Sequence, residues 1–235
     1  MRLNRISGWL AAAALATIMM PAAIAHAESY VVWTSGTTST LTSPGTVTGT
    51  LLGSVNVTYT GDVAWFDPTD GPVKNAPAAD FTAGGAINPP PNTGLIGLSQ
   101  GNSSYGANLL PYGNEVTFSK PVTNPIIDIV SLGWGGAQIV NYNFSATPVI
   151  LSQGTDNWGG GPSDLWVISN TLYGNEGSGV VQFDGTYSSI SWTADGGEYW
   201  NGITVGAATP EPNSLLLLGT GLAAFAGMLR RKLRA

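Results

Sequence analysis

The chain has no cysteine and a single histidine, His26. Without cysteine no disulfide can hold the fold, so stability must come from packing, although an oxidising destination is tolerated. His26 lies in an N-terminal segment that reads as removable, which leaves the mature chain without either residue. A Ser-His-Asp triad, a Cys-His pair, a His-ligated zinc or iron site and histidine acid–base catalysis are thereby excluded. Charge is scarce as well. Charged residues make up 9% of the chain, with 8 Lys and Arg against 14 Asp and Glu and a net charge of -6. Arg2, Arg5, Arg230, Arg231, Lys232 and Arg234 sit at the chain ends, so the middle retains only Lys74 and Lys120. Such an acidic middle is unsuited to nucleic acid, whose binding depends on neutralising phosphates with cations. Strong helical periodicity and βαβ alternation are also missing, which excludes a parallel α/β fold.

The N-terminus has a clear pattern. Arg2 and Arg5 precede an apolar stretch from Ile6 to Met20, and Ala25-His26-Ala27 fits the small-residue cleavage pattern of a secretory signal peptide. The segment 1–27 is therefore expected to be removed between Ala27 and Glu28, with signal peptidase and the secretion machinery as partners. An uncleaved anchor would need a longer span and no cleavage site.

Residues 28–206 are enough for one domain with a substantial core. Short runs rich in Val, Ile, Thr and aromatic residues recur there between Gly, Pro, Asn and Asp clusters, an all-β signature. Strands are expected at Ser29 to Trp33, Thr46 to Thr60, Glu115 to Ser119, Pro125 to Leu132, Ala137 to Phe144 and Pro148 to Ser152. Further strands are expected at Asp164 to Ser169, Gly179 to Phe183, Ser188 to Thr193 and Tyr199 to Val205. Within Thr46 to Thr60, Val55, Val57 and Tyr59 alternate with Asn56, Thr58 and Thr60, as in a half-buried strand. The region 67–112, with Pro68, Pro72, Pro77, the Pro89-Pro90-Pro91 run and Pro111, reads as loop, with one or two short strands around Gly94 to Ser99. It is either a large functional loop or a small subdomain. About nine to eleven short strands, mostly joined by turns, predict a two-sheet antiparallel sandwich of jelly-roll type.

Three kinds of chemistry remain open. Paired carboxylates suffice for glycoside hydrolysis, and the candidates are Asp156 with Asp164 and Asp195 with Glu198. Both pairs lie in Gly-rich loops, where acids ordinarily serve turns. Calcium suits carboxylates and loop carbonyls; Asp62, Asp67 and Asp70 form the first candidate cluster and Asp156, Asn157 and Asp164 the second, with Asx turns as the alternative for both. Neither matches the EF-hand spacing. No other cofactor is expected. Finally, Trp65, Trp134, Trp158 and Trp200, with Phe66 and Tyr199, sit beside glycines or acids near expected strand ends. Rings in such places can stack on sugar faces while Asp and Asn bond the hydroxyls, or they can cap the ends of a sandwich. Trp166 and Trp192 fall within expected strands and read as core. Sequons at Asn56, Asn102 and Asn143 carry little weight in a chain so rich in Asn and Thr.

The tail is the most specific stretch. Pro210-Glu211-Pro212 cannot be drawn into a helix and should stay extended. An uncharged apolar run from Leu215 to Leu229 follows, and Arg230, Arg231, Lys232 and Arg234 close the chain. At a rise of about 1.5 Å per residue a helix of the sixteen residues Ser214 to Leu229 spans about 24 Å, short of the hydrocarbon core unless the basic side chains snorkel. The cations place its C-terminal end on the cytoplasmic side and the preceding domain outside.

This order of triplet, transmembrane helix and terminal basic cluster, over 207–235, resembles the PEP-CTERM sorting signal of Gram-negative bacteria. The resemblance implies export, transient membrane anchoring at 215–229 with a cytoplasmic tail at 230–235, and processing near the triplet by an exosortase-type membrane protease. It also implies association with exopolysaccharide or biofilm matrix. The phrases FSKPVTNPIIDIVSLG (Phe118 to Gly133) and SISWTADGGEYWNGITVG (Ser189 to Gly206) look like ones that recur in the exported domains of such proteins, without bringing an activity. The expectation is thus a non-enzymatic cell-surface or extracellular-matrix protein of structural or adhesive role. A carbohydrate-binding module, with or without calcium, and a glycan-active enzyme are the alternatives.

Overall fold

The structure, a computed structural model, describes residues 27–68, 93–99, 112–136, 138–198 and 200–209. Glu28–Ala208 forms one compact unit. Its described residues hold fifteen strands: β1 (Ala27–Tyr30), β2 (Val32–Thr37), β3 (Gly45–Leu51), β4 (Val55–Gly61), β5 (Val63–Asp67), β6 (Leu95–Leu98), β7 (Asn114–Thr123) and β8 (Pro125–Leu132). The second half adds β9 (Val140–Phe144), β10 (Pro148–Gly154), β11 (Leu165–Ile168), β12 (Thr171–Gly174), β13 (Gly177–Phe183), β14 (Thr186–Asp195) and β15 (Asn201–Thr209). No helix occurs among the described residues.

The strands build two antiparallel sheets. One runs β10, β13, β8, β15, β6, β5, with β1 also paired to β15; the other runs β11, β12, β9, β14, β7, β4, β3, β2. Alternation in sequence becomes alternation in burial: Val55, Val57 and Tyr59 of β4 are buried while Asn56 is exposed and Thr58 and Thr60 are half-buried. The two sheets pack through one hydrophobic cluster. Across it, Phe144 of β9 meets Phe183 of β13 with ring centroids 4.9 Å apart, and Trp33 of β2 donates from Nε1 to Thr204 Oγ1 of β15 at 3.1 Å.

β8 differs from every strand of the larger sheet because all eight of its residues are buried. Ile127, Ile129 and Leu132 belong to the shared core, whereas Ile126 and Val130 join Leu95 and Val180 in a second cluster, against which Tyr30, Trp65, Trp158 and Trp200 pack. Side chains of a strand alternate between faces, so this second cluster lies on the side of the seven-stranded sheet away from the shared core. Asp128 occupies the same side, fully buried, with neither carboxylate oxygen in a hydrogen bond of normal geometry. Burial drives its carboxyl well above the usual carboxylate range, with the Glu28 charge adding to the effect.

Several expectations need correction. The stretch Thr46 to Thr60 is a hairpin, because Leu52 and Gly53 take left-handed backbone conformations that turn the chain between β3 and β4. Trp65 and Phe66 lie inside β5, which reading 67–112 as the start of a proline-rich region had obscured. The short strand expected near Gly94 to Ser99 is present as β6. Trp192 is core, 2% exposed, but Trp166 is half-buried on β11, where its ring stacks on that of Tyr173, its partner across β12. A strand pair has two faces, and Trp166 alternates with Leu165, the buried one. The signal segment 1–26, most of the 67–112 region and the tail from 210, including the 215–229 run, lie outside the described residues.

Candidate functional site

The polypeptide leaves β8 through Gly133-Trp134-Gly135-Gly136. Gly133 has φ 93°, and a Cβ there would stand 2.3 Å from the carbonyl oxygen of Gly174, so only glycine fits. Trp134 and Gln138 then close a small loop through reciprocal backbone bonds of 2.9 and 3.0 Å. Beside it, Ser131 (φ 57°) and Glu176 (φ 65°) hold left-handed conformations rare for residues with side chains. Three such positions at one strand end mark a place where the surrounding fold imposes the backbone.

Two glutamates secure this loop. Glu176, in the turn between β12 and β13, accepts from the Ser131 hydroxyl at Oε1 and from the Gly135 amide at Oε2, 3.0 Å. Glu198, ahead of β15, accepts at Oε2 from the Gly133 amide at 3.0 Å and from Asn201 Nδ2 at 2.9 Å. Asn201 in turn accepts from the Tyr142 hydroxyl, so a buried polar chain runs from the shared core to the loop. Burial pushes the Glu198 carboxyl up to about 8; the bonds from Asn201 and Gly133 oppose the rise and the Glu176 charge adds to it. Burial likewise raises Glu176, against the bonds from Gly135 and Ser131.

The two glutamates and Ser131 share a cavity of about 380 Å³ with Gly133, Gly135 and three tryptophans, Trp134, Trp158 and Trp200. Trp134 is 42% exposed, while Trp158 and Trp200 are half-buried. Trp158 meets Trp200 edge to face, with centroids 5.2 Å apart and planes at 85°. Behind them Trp65 meets Trp200 at 5.7 Å and 62°. Trp65 is placed by its cross-strand partner Gly97, whose missing side chain leaves room for the indole. The four tryptophans expected to form a binding surface thus stand together, three lining the cavity and Trp65 supporting Trp200.

The acidic candidates fare differently. Asp62 immediately precedes β5 and Asp67 ends it, about 16 Å apart at the usual rise per strand residue, and so they cannot share an ion. Asp62 is buried beside Asn114, which accepts from its backbone amide at 3.0 Å; burial pushes its carboxyl up to about 7, opposed by hydrogen bonding with Asn114 and Tyr112. Asp70 lies outside the described residues. Asp156 is a turn staple, accepting from the Trp158 and Gly160 amides at 2.9 and 2.8 Å and from the Ser178 hydroxyl at 2.7 Å. Asp164 accepts from Gly161 at 2.6 Å. Asp195 is exposed and bonds the amide of Gly196, whereas Glu198 is buried and lines the cavity without it. Among the described residues no group of three or more His, Cys, Asp or Glu could hold a metal ion.

Glu176 was not anticipated from sequence. It stands in Gly-Asn-Glu-Gly, a hairpin turn like several others, and its partner Glu198 is distant along the chain. Ala25, Pro210, Glu211, Pro212 and the cluster Arg230, Arg231, Lys232 and Arg234 lie outside the described residues. Ala27 opens β1, and Glu28, next to it, accepts from the Tyr30 hydroxyl. Among the described residues no helix is long and apolar enough to cross a membrane.

No curated protein and no solved structure matches the chain. Residues 208–232, which contain the Pro-Glu-Pro triplet and most of the basic cluster, match the family model of the PEP-CTERM protein-sorting motif. This protein therefore carries a PEP-CTERM sorting signal, which implies export and processing by the membrane protein exosortase.

Proposed function

We propose that this is a non-catalytic cell-surface or extracellular-matrix protein that binds carbohydrate in its tryptophan-lined cavity and thereby serves an adhesive role in exopolysaccharide or biofilm matrix. In this reading the signal peptide is cut before Glu28, the 215–229 helix anchors the chain until exosortase acts, and the exported domain is a jelly-roll sandwich. The strand order supports that last point: β6, β15, β8, β13 are successive neighbours in one sheet and β7, β14, β9, β12 in the other, and from β6 to β15 the chain changes sheet at every step except β11 to β12. The observation that carries the binding reading is the gathering of Trp134, Trp158 and Trp200 around one cavity large enough for a sugar residue.

A second reading, a glycan-active enzyme, draws on Glu176 and Glu198 lining the same cavity. Binding is favoured because both oxygens of Glu176 and Oε2 of Glu198 already accept bonds that hold the Gly133–Gly136 loop. The test is titration of the full chain with the producer's exopolysaccharide, with and without calcium, following tryptophan fluorescence. Saturable binding that Trp200→Ala weakens at least about tenfold is expected, a loss of the size that removing a central aromatic contact causes. Absence of binding would overturn the reading, and release of new reducing ends would favour the enzyme.

A further inference from the structure

We propose that the cavity takes a cation: a positively charged amine or quaternary ammonium group enclosed by Trp134, Trp158 and Trp200 and neutralised by Glu176 and Glu198. The inference rests on the binding reading and names the ligand's chemistry. It starts from the angle between the rings. Stacking on a flat sugar face calls for exposed, coplanar rings, but Trp158 and Trp200 meet at 85° and make a corner. Indole faces are electron-rich, and walls at right angles attract a compact cation from two sides.

Charge leads to the same class. The cavity has two carboxyl groups and no lysine or arginine in its lining. Among the described residues the only lysine or arginine is Lys120, in β7 of the other sheet. No lysine or arginine of the described domain therefore stands by to pair an anionic ligand such as a uronate or phosphate, or to compensate Glu176 and Glu198 when they ionise. Their bonds to the loop do not preclude a ligand, because each Glu176 oxygen accepts only one of these bonds and Oε1 of Glu198 takes part in none of them. An ammonium would satisfy those lone pairs and, by displacing the proton that burial keeps on Glu198 near neutral pH, form an ion pair there. The cavity, about 380 Å³, admits an amino-sugar residue as readily as a choline-type head group.

The test titrates the full chain, near neutral pH and at low salt, with three probes: a glucosamine oligosaccharide, its fully N-acetylated counterpart, and choline. Binding of the glucosamine oligosaccharide at least about tenfold tighter than the N-acetylated one is expected, the scale set by removing one partner of a buried charge pair. Glu198→Gln, which keeps an acceptor for Gly133, should abolish that preference, with near-UV circular dichroism confirming the fold. Trp134→Ala, at a position 42% exposed, should weaken the amine probe, with its fold checked by the same circular dichroism. Equal affinity for both oligosaccharides would overturn the cation inference and leave carbohydrate binding standing. Choline binding without either oligosaccharide would uphold the cation site and overturn the carbohydrate reading. Binding of none would overturn both.

Discussion

At Glu198 a carboxyl group 4% exposed has its pKa pushed up to about 8, whereas an unfolded glutamate titrates near 4.3, about the ordinary value. Between those values the folded chain holds a proton that the unfolded chain has released, so stability falls as pH rises. The contribution is complete below the unfolded value and is lost as pH passes through about 8. Asp62, pushed up to about 7, acts in the same direction. Thermal unfolding should therefore shift downward from mildly acidic to mildly alkaline pH, by about 2–4 °C for each kcal/mol lost in a chain of this size. Glu198→Gln should flatten that slope; an unchanged slope would mean that Glu198 does not carry the buried proton. None of this could be read at the residue itself. Glu198 lies in an acidic, Gly-rich loop like that of Asp195, three positions away, yet one is buried and the other exposed.

At the scale of the element, β5 and β6 set the aromatic corner. Trp65 and Gly97 are register partners, and a Cβ at Gly97 would lie 2.0 Å from the Trp65 ring. Since Trp65 backs Trp200, Gly97→Ala should displace both rings, destabilise the chain by roughly 1–3 kcal/mol as overpacking does, and weaken ligand binding with a shift in tryptophan emission. Unchanged emission and affinity would show that Trp65 does not position Trp200. Alternation made β4 legible in sequence, and the all-buried composition of β8 was legible as a strand. Trp65 was visible as a binding candidate but not as a strand residue, because a short run next to proline-rich text offers too few positions for a period to emerge. For Trp166 the strand was found and the face was not: two outward rings stabilise each other across β11 and β12 without entering the core.

For the whole molecule, the sorting signal in residues 208–232 implies the route. Replacing Pro210, Glu211 and Pro212 together with alanine should remove the triplet of the sorting motif and leave the full-length form in the membrane, as an immunoblot of fractions would register. Unchanged processing and release would count against recognition of the triplet. The domain itself has no disulfide and no metal cluster among its described residues. Its order rests on sheet packing, with Trp192, Tyr59, Tyr142 and Phe144 packed ring against ring at the centre. Trp192→Ala should cost about 3–5 kcal/mol, measured by chemical denaturation, because it opens a cavity that surrounding strands cannot close. A loss below about 1 kcal/mol would mean the ring cluster is not the centre of the fold.

Sequence alone determined the sorting signal, the all-β class, the absence of thiol chemistry, and which tryptophans to watch. These follow from local order, composition and period, which need no knowledge of what lies across the fold. Tertiary structure decided that Trp134, Trp158 and Trp200 share one cavity, that Glu176 joins Glu198 there, and that Asp62 and Asp67 do not meet. Such facts depend on pairings between β8, β13 and β15, strands far apart in the chain, and no local pattern encodes which loops those pairings bring together.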